Sequence, residues 1–378
     1  MNWKIRKNYL IYFAFVPVGI DILLNYFHNA TFRYFQKPLV ASIYAAVFVL
    51  LAVYAFTKKD NRESNVNIKI KLWFGGVIAL PLFLIPEITV ATVGYYSIPL
   101  ILLSIFAIFK YPHYSEICAA ASVYVYVLTC LVVASIFFAY IFPYQGLTIH
   151  ELRWAGALYP DLRRAQGVFN GPGILGLVSA VVATYACTRR SQWGLFLVVG
   201  IFGLFSADSR SAFLATGCAA MLLYFISRRN RCQFDDYISR PALSILGGAV
   251  VIYLSLMAIN AALYQYIDRV NIFARVLQFH SDNMQNYSHA HNLFLEVFAY
   301  KNFMPQLLSY GILLAAIFFI VRSYLSARVL PIVFGVIVLV YSMFEIGLIL
   351  YKLNIATFAL VLSALFAGKT EKKAGYVK

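Results

Sequence analysis

Apolar stretches at roughly 8–27, 38–57, 71–86, 89–109, 117–142, 172–188, 193–207, 211–227, 241–262, 303–321, 329–350 and 353–368 follow one another through the chain. A helix that crosses the hydrocarbon of a bilayer takes about 20 apolar residues. Some of these stretches are shorter, and 71–109 also reads as one long segment broken around Pro86 and Glu87. Hydrocarbon offers backbone groups no water to bond, so such segments must be helices that satisfy themselves. The pattern therefore predicts an all-α polytopic membrane protein with about 12 spans, built as a single integral membrane domain over 1–378. Composition agrees: 12% of residues are charged, about half the share usual in soluble domains. The run after Lys4, Arg6 and Lys7 has no small-residue cleavage site and reads as a first span.

The net charge of +16 invites a nucleic-acid reading, but its distribution points to topology instead. Of the 31 Lys and Arg, 21 fall in the N-terminus, the loop 58–71, Lys110, Arg189/Arg190, the loop 228–240, Arg322/Arg328 and the tail. The alternate loops hold Arg33, Lys37, Arg153, Arg163, Arg164, Arg210, Arg269, Arg275, Lys301 and Lys352. The positive-inside rule places the richer side, with both termini, in the cytoplasm. Nothing in this arrangement suits DNA or RNA. The five cysteines lie in spans or a cytoplasmic loop, so no disulfide is expected, and none has structural-zinc spacing.

Three outward segments carry the polar chemistry. In Ala207-Asp-Ser-Arg-Ser-Ala212, two short spans meet with almost no loop, which holds Arg210 at or just below the membrane surface. A charge at that depth either snorkels to headgroups, pairs with Asp208, or serves a ligand. In Leu162–Gly176, the turn Asn170-Gly171-Pro172-Gly173 feeds a helix start shortly after Arg163 and Arg164. Helix N-termini favour anions and guanidinium forks fit phosphate oxygens, although an ordinary cap beside headgroup-binding arginines has the same pattern. In Tyr287–Tyr300, His289, His291, Asn292 and Glu296 share a stretch with Leu293, Phe294, Val297 and Phe298. It reads as an amphipathic helix at the outer interface, with a histidine suited either to proton transfer or to a plain surface position. The loop 263–302 that ends in it also carries Arg275.

At these residues the chain resembles the superfamily of O-antigen ligases and O-antigen polymerases (Wzy). The resemblance rests on R-x-x-G-x-F-x-G-P at Arg164–Pro172, S-R-S-A-F-L-A at Ser209–Ala215 and H-x-H-N-L-F-L-E at His289–Glu296. It covers about residues 160–320; the family's Asn-Pro-Asn after the phenylalanine reads Asn-Gly-Pro-Gly here. It implies a GT-C-like, N-in/C-in bundle with short periplasmic helices in a bacterial inner membrane. The implied reaction is metal-independent glycosyl transfer, without cofactor, from an undecaprenyl-diphosphate-linked oligosaccharide.

Carried over residue by residue, Arg164 and Arg210 hold the diphosphate and His291 activates the acceptor hydroxyl. Arg153, Arg163, Asn170, Arg275, His289, Asn292 and Glu296 line the substrate, and no metal is held. The periplasmic loops about 143–171 and 263–302 carry the site. The implied partners are a lipid-linked donor and acceptor, a chain-length regulator and a flippase. Ligases commonly have glycine nine residues after H-[NSQ], where this chain has Asn302. That departure, the short outward loop and 28 Tyr with 32 Phe for stacking on sugars favour the polymerase branch. The competing expectations are a ligase acting on lipid A-core and a lipid-linked oligosaccharide flippase or transporter, which Asp21 and Glu345 within spans would suit.

Overall fold

The computed structural model describes residues 114–141, 148–149, 164–169, 171–229, 237–264, 321 and 328–342. The chain divides into two compact units, one of residues 1–124 with 355–378 and one of 125–354. Of the first, residues 114–124 are described; everything that follows concerns the second. The expected spans 8–27, 38–57, 71–86, 89–109 and 353–368 lie outside the described residues, as does 303–321 except Val321.

The described elements are helical apart from one short ribbon. Helix α1 covers Tyr114–Ile136 and continues into a π-helical turn, Phe137–Ile141. Strands β1 (Thr148–Ile149) and β2 (Arg164–Ala165) pair antiparallel, with Thr148 opposite Ala165 and Ile149 opposite Arg164. Four helices follow: α2 (Pro172–Ala186), α3 (Trp193–Ala207), α4 (Arg210–Arg229) and α5 (Arg240–Tyr264). Helix α6 covers Val329–Ser342. Ala121–Ile141, Arg210–Arg228 and Arg240–Ile259 are long and apolar enough to cross a membrane, whereas α2 and α3 are apolar but shorter. The ribbon departs from a purely helical expectation. Its pairing supplies backbone partners to Thr148, Ile149, Arg164 and Ala165, which lie outside the helices.

Helix α2 is the core of the unit, buried from Ile174 to Ala186 and packed on α3, α4 and α6. Small residues make this possible. A Cβ on Gly200 would stand 2.5 Å from the Ala183 backbone nitrogen, and one on Gly203 would overlap the Ser179 hydroxyl and Val132. Without a hydrophobic drive between helices in lipid, such close backbone approach and the dispersion contacts it brings hold them together. Aromatic contacts continue the core. Tyr185 stacks on Phe334 of α6 at 6.2 Å and meets Phe196 of α3 edge-on. Outward, α3 exposes Leu195, Val198 and Phe202, and α5 exposes Ile245, Val251 and Ile252. Large apolar side chains facing away from the core are the surface expected of a lipid-facing helix.

Candidate functional site

Two residues separate α3 from α4, one ending the first helix and the other starting the second. Asp208 closes α3 in the left-handed conformation (φ 45°, ψ 49°), with its N–H directed at the carbonyls of Leu204 and Phe205. Aspartate is among the few residues with a side chain that adopt this conformation readily. Ser209 then caps α4: its carbonyl accepts from Phe213 N–H at 3.1 Å, and its hydroxyl takes Ala212 N–H at 3.4 Å. The sequence expectation of a near-loopless hairpin is met, and Arg210 becomes the first residue of α4, half-buried.

Arg164 reaches this turn from β2, 46 positions before Arg210. Its Nε donates to the Ala207 carbonyl and its Nη2 to the Asp208 carbonyl, each at 3.1 Å. The guanidinium thus bonds carbonyls that the end of α3 leaves without helical partners, where the helix dipole also favours a cation. Two of its five N–H donors are used in this way. Arg164 therefore has a structural attachment that sequence reasoning did not foresee.

The chain after Arg164 is anchored with similar closeness. Gly167 takes a positive φ of 56°, and a Cβ there would overlap Ser135 of α1. The Ser135 hydroxyl in turn accepts from Val168 N–H at 3.2 Å. Val168 and Phe169 are buried, and the segment enters α2 at Pro172 as the turn sequence predicts. Pro172 has no N–H, and those of Ile174 and Leu175 turn back to the Gly171 carbonyl. Little of the anticipated donor array at this helix start is left for an anion. A Cβ on Gly176 would stand 2.7 Å from Cβ of Ser209. The first turn of α2 therefore rests directly on the α3–α4 turn, and two of the three sequence motifs form one structure.

The carboxylate at the centre is Asp208, fully buried. Tyr253 of α5, also buried, donates its hydroxyl to Oδ1 at 2.8 Å. The ring of Tyr253 stacks on Phe213 at 3.6 Å with an interplanar angle of 5°, and Phe205 meets both rings edge-on. Tyr140, on the π-turn, interacts with the Ser206 side chain and lies within electrostatic reach of Asp208. Arg164 and Arg210 lie within such reach of Tyr253. A buried carboxylate is expensive unless bonded and charge-compensated, and here the Tyr253 phenol bonds it. The α3–α4 turn thus gathers two guanidinium groups beside one buried carboxylate.

Among the expected site residues, the structure describes Arg164 and Arg210 and brings them to one turn. His291, Arg163, Arg153, His289, Asn292, Glu296, Asn170 and Arg275 lie outside the described residues. Tyr253, Tyr140 and Ser135 were missed because each sits inside an apolar span, where tyrosine and serine read as packing. A weak signal existed for Asp208: an acid between two apolar spans with no loop must be buried and needs partners. No family model and no curated protein matches the chain.

Proposed function

We propose that the protein is an O-antigen polymerase of a bacterial inner membrane. It transfers an undecaprenyl-diphosphate-linked glycan onto a second lipid-linked repeat unit at the periplasmic face, without a metal. The reading is supported by the meeting of Arg164 and Arg210, from separate motifs, at one turn beside the buried Asp208. In the reaction, the bond between the donor sugar's anomeric carbon and the diphosphate oxygen breaks as an acceptor hydroxyl attacks that carbon. The proton of the hydroxyl passes to His291, and undecaprenyl diphosphate leaves. Negative charge grows on the departing diphosphate, where fixed guanidinium groups stabilise the transition state more than the ground state. The donor is already activated, so the site needs no nucleotide.

The test is a gel of lipopolysaccharide from cells whose only copy carries His291→Ala. The expected result is a lipid core capped with at most one repeat unit, at normal protein level. A wild-type ladder would remove the catalytic role of His291. Uncapped core with polymer retained on undecaprenyl diphosphate would move the assignment to a ligase. Purified protein given the lipid-linked donor is expected to keep its activity in EDTA. Loss of activity restored by a divalent ion would instead implicate Glu296 and the histidines as ligands.

A further inference from the structure

At the opposite end of the bundle from Arg164 and Arg210, helices α4 and α5 enclose a groove of about 720 Å³. Its walls are one stripe from each helix. Leu214, Gly217, Met221 and Tyr224 recur at helical spacing on α4, as do Leu243, Gly247, Val250 and Leu254 on α5. The helices come together where Gly217 faces Val250, whose Cγ1 stands 3.2 Å from where a Cβ would be. One turn of α5 earlier the gap opens: among the described residues no atom lies within 4 Å of a Cβ built on Gly247. The groove therefore widens towards the end of α4 and the start of α5.

Arg228 and Arg240 stand at that wide end, one on each wall. Both are exposed, and neither is paired with an acid among the described residues. The Arg228 guanidinium lies over the Tyr224 ring at 5.4 Å, and Ser227 and Ser244 add hydroxyls to the lining. From Tyr224 to Leu214 the apolar wall runs about 15 Å at 1.5 Å per residue, half of a hydrocarbon core of about 30 Å. The groove is thus apolar over the depth of a single leaflet and cationic at its mouth. The positive-inside expectation assigns this mouth to the cytoplasmic face, where anionic lipids attract basic residues.

From this geometry we infer that the α4–α5 groove binds one anionic glycerophospholipid. Its phosphate sits between Arg228 and Arg240, and one acyl chain lies along Met221 and Gly247 towards Leu214 and Leu254. Charge complementarity selects the headgroup, since a zwitterionic lipid fills the same apolar wall but brings no net charge to the arginines. The site is independent of the proposed glycosyl transfer.

The test uses the full chain, purified in mild detergent and given equal amounts of phosphatidylglycerol and phosphatidylcholine with matched acyl chains. Retained lipid is counted by native mass spectrometry. The wild type is expected to keep one phosphatidylglycerol in preference to phosphatidylcholine. The double variant R228Q/R240Q should lose that preference roughly twenty-five-fold, about fivefold for each arginine near an anionic headgroup. Gly247→Phe, which fills the groove and leaves both arginines, should lose the bound lipid as well. The variant R189Q/R190Q removes two arginines from the same end of the bundle but not from the groove, and should bind as the wild type does. Equal retention of both lipids by the wild type, or equal losses from the two arginine pairs, would overturn the proposal.

Discussion

A lysine at position 164 would keep a positive charge at the end of α3, but one ammonium group does not reproduce the fork that Arg164 closes on Ala207 and Asp208. Substitution there should therefore lower both thermal stability and polymer formation. Arg210 is the half-buried first residue of α4 and lies within electrostatic reach of Tyr253. Arg210→Lys should reduce polymer by an order of magnitude or more, a typical loss for one transition-state donor. Full polymer from both Lys variants, at normal protein levels, would remove both arginines from the diphosphate site and leave Arg164 as a tie to the end of α3. Tyr253→Phe isolates a third contribution, because it keeps the stack on Phe213 and removes the hydroxyl from Asp208. The expected cost is about 2 kcal/mol, typical of a buried hydrogen bond to a charged group. An unchanged thermal unfolding curve would show that Asp208 finds another donor.

Among the elements, α2 and α3 depend on close approach more than on length. Both are shorter than the three candidate spans, so packing must hold what the bilayer alone does not fix. Gly200 against the Ala183 backbone and Gly203 against Ser179 set the spacing. Gly200→Leu should force the helices apart and destabilise the protein by about 1–3 kcal/mol, the usual range for overpacking a tight core. Gly194→Ala is the control, because among the described residues no atom lies within 4 Å of a Cβ there. Unfolding midpoints for the two variants check the argument, and equal midpoints would refute it. Gly167 belongs to the same class with an added backbone requirement. Its positive φ and its position on Ser135 both exclude a side chain without strain.

For the whole molecule, the asymmetry of Lys and Arg predicts the orientation, and through it the compartment of every site described above. Reporter fusions after Gly146 and Gln285 are expected to be active as periplasmic reporters and silent as cytoplasmic ones. The reverse pattern would place the α3–α4 turn in the cytoplasm. That would remove the periplasmic transferase reading, and would move the mouth of the lipid groove to the outer leaflet.

Hydropathy determined the helices. The expected span 193–207 has the bounds of α3, and 211–227 and 241–262 fall within a few residues of α4 and α5. This part was legible because apolar length and backbone satisfaction depend only on local sequence. The near-loopless turn was legible for the same reason, and Arg164 and Arg210 stood out as charges close to apolar stretches. Tertiary structure decided what those charges touch. Whether Tyr253 faces lipid or Asp208 depends on the rotation of α5 about its axis, which interhelical packing fixes and its own sequence leaves open. The same holds for Ser135, which supports the Gly167 turn only because α1 is presented to it across 32 residues of chain. The groove depends on a still longer-range outcome. Two similar apolar stripes make a continuous seam if the helices stay parallel, and they form a lipid-sized wedge only because α4 and α5 touch at Gly217 and part towards Arg228 and Arg240.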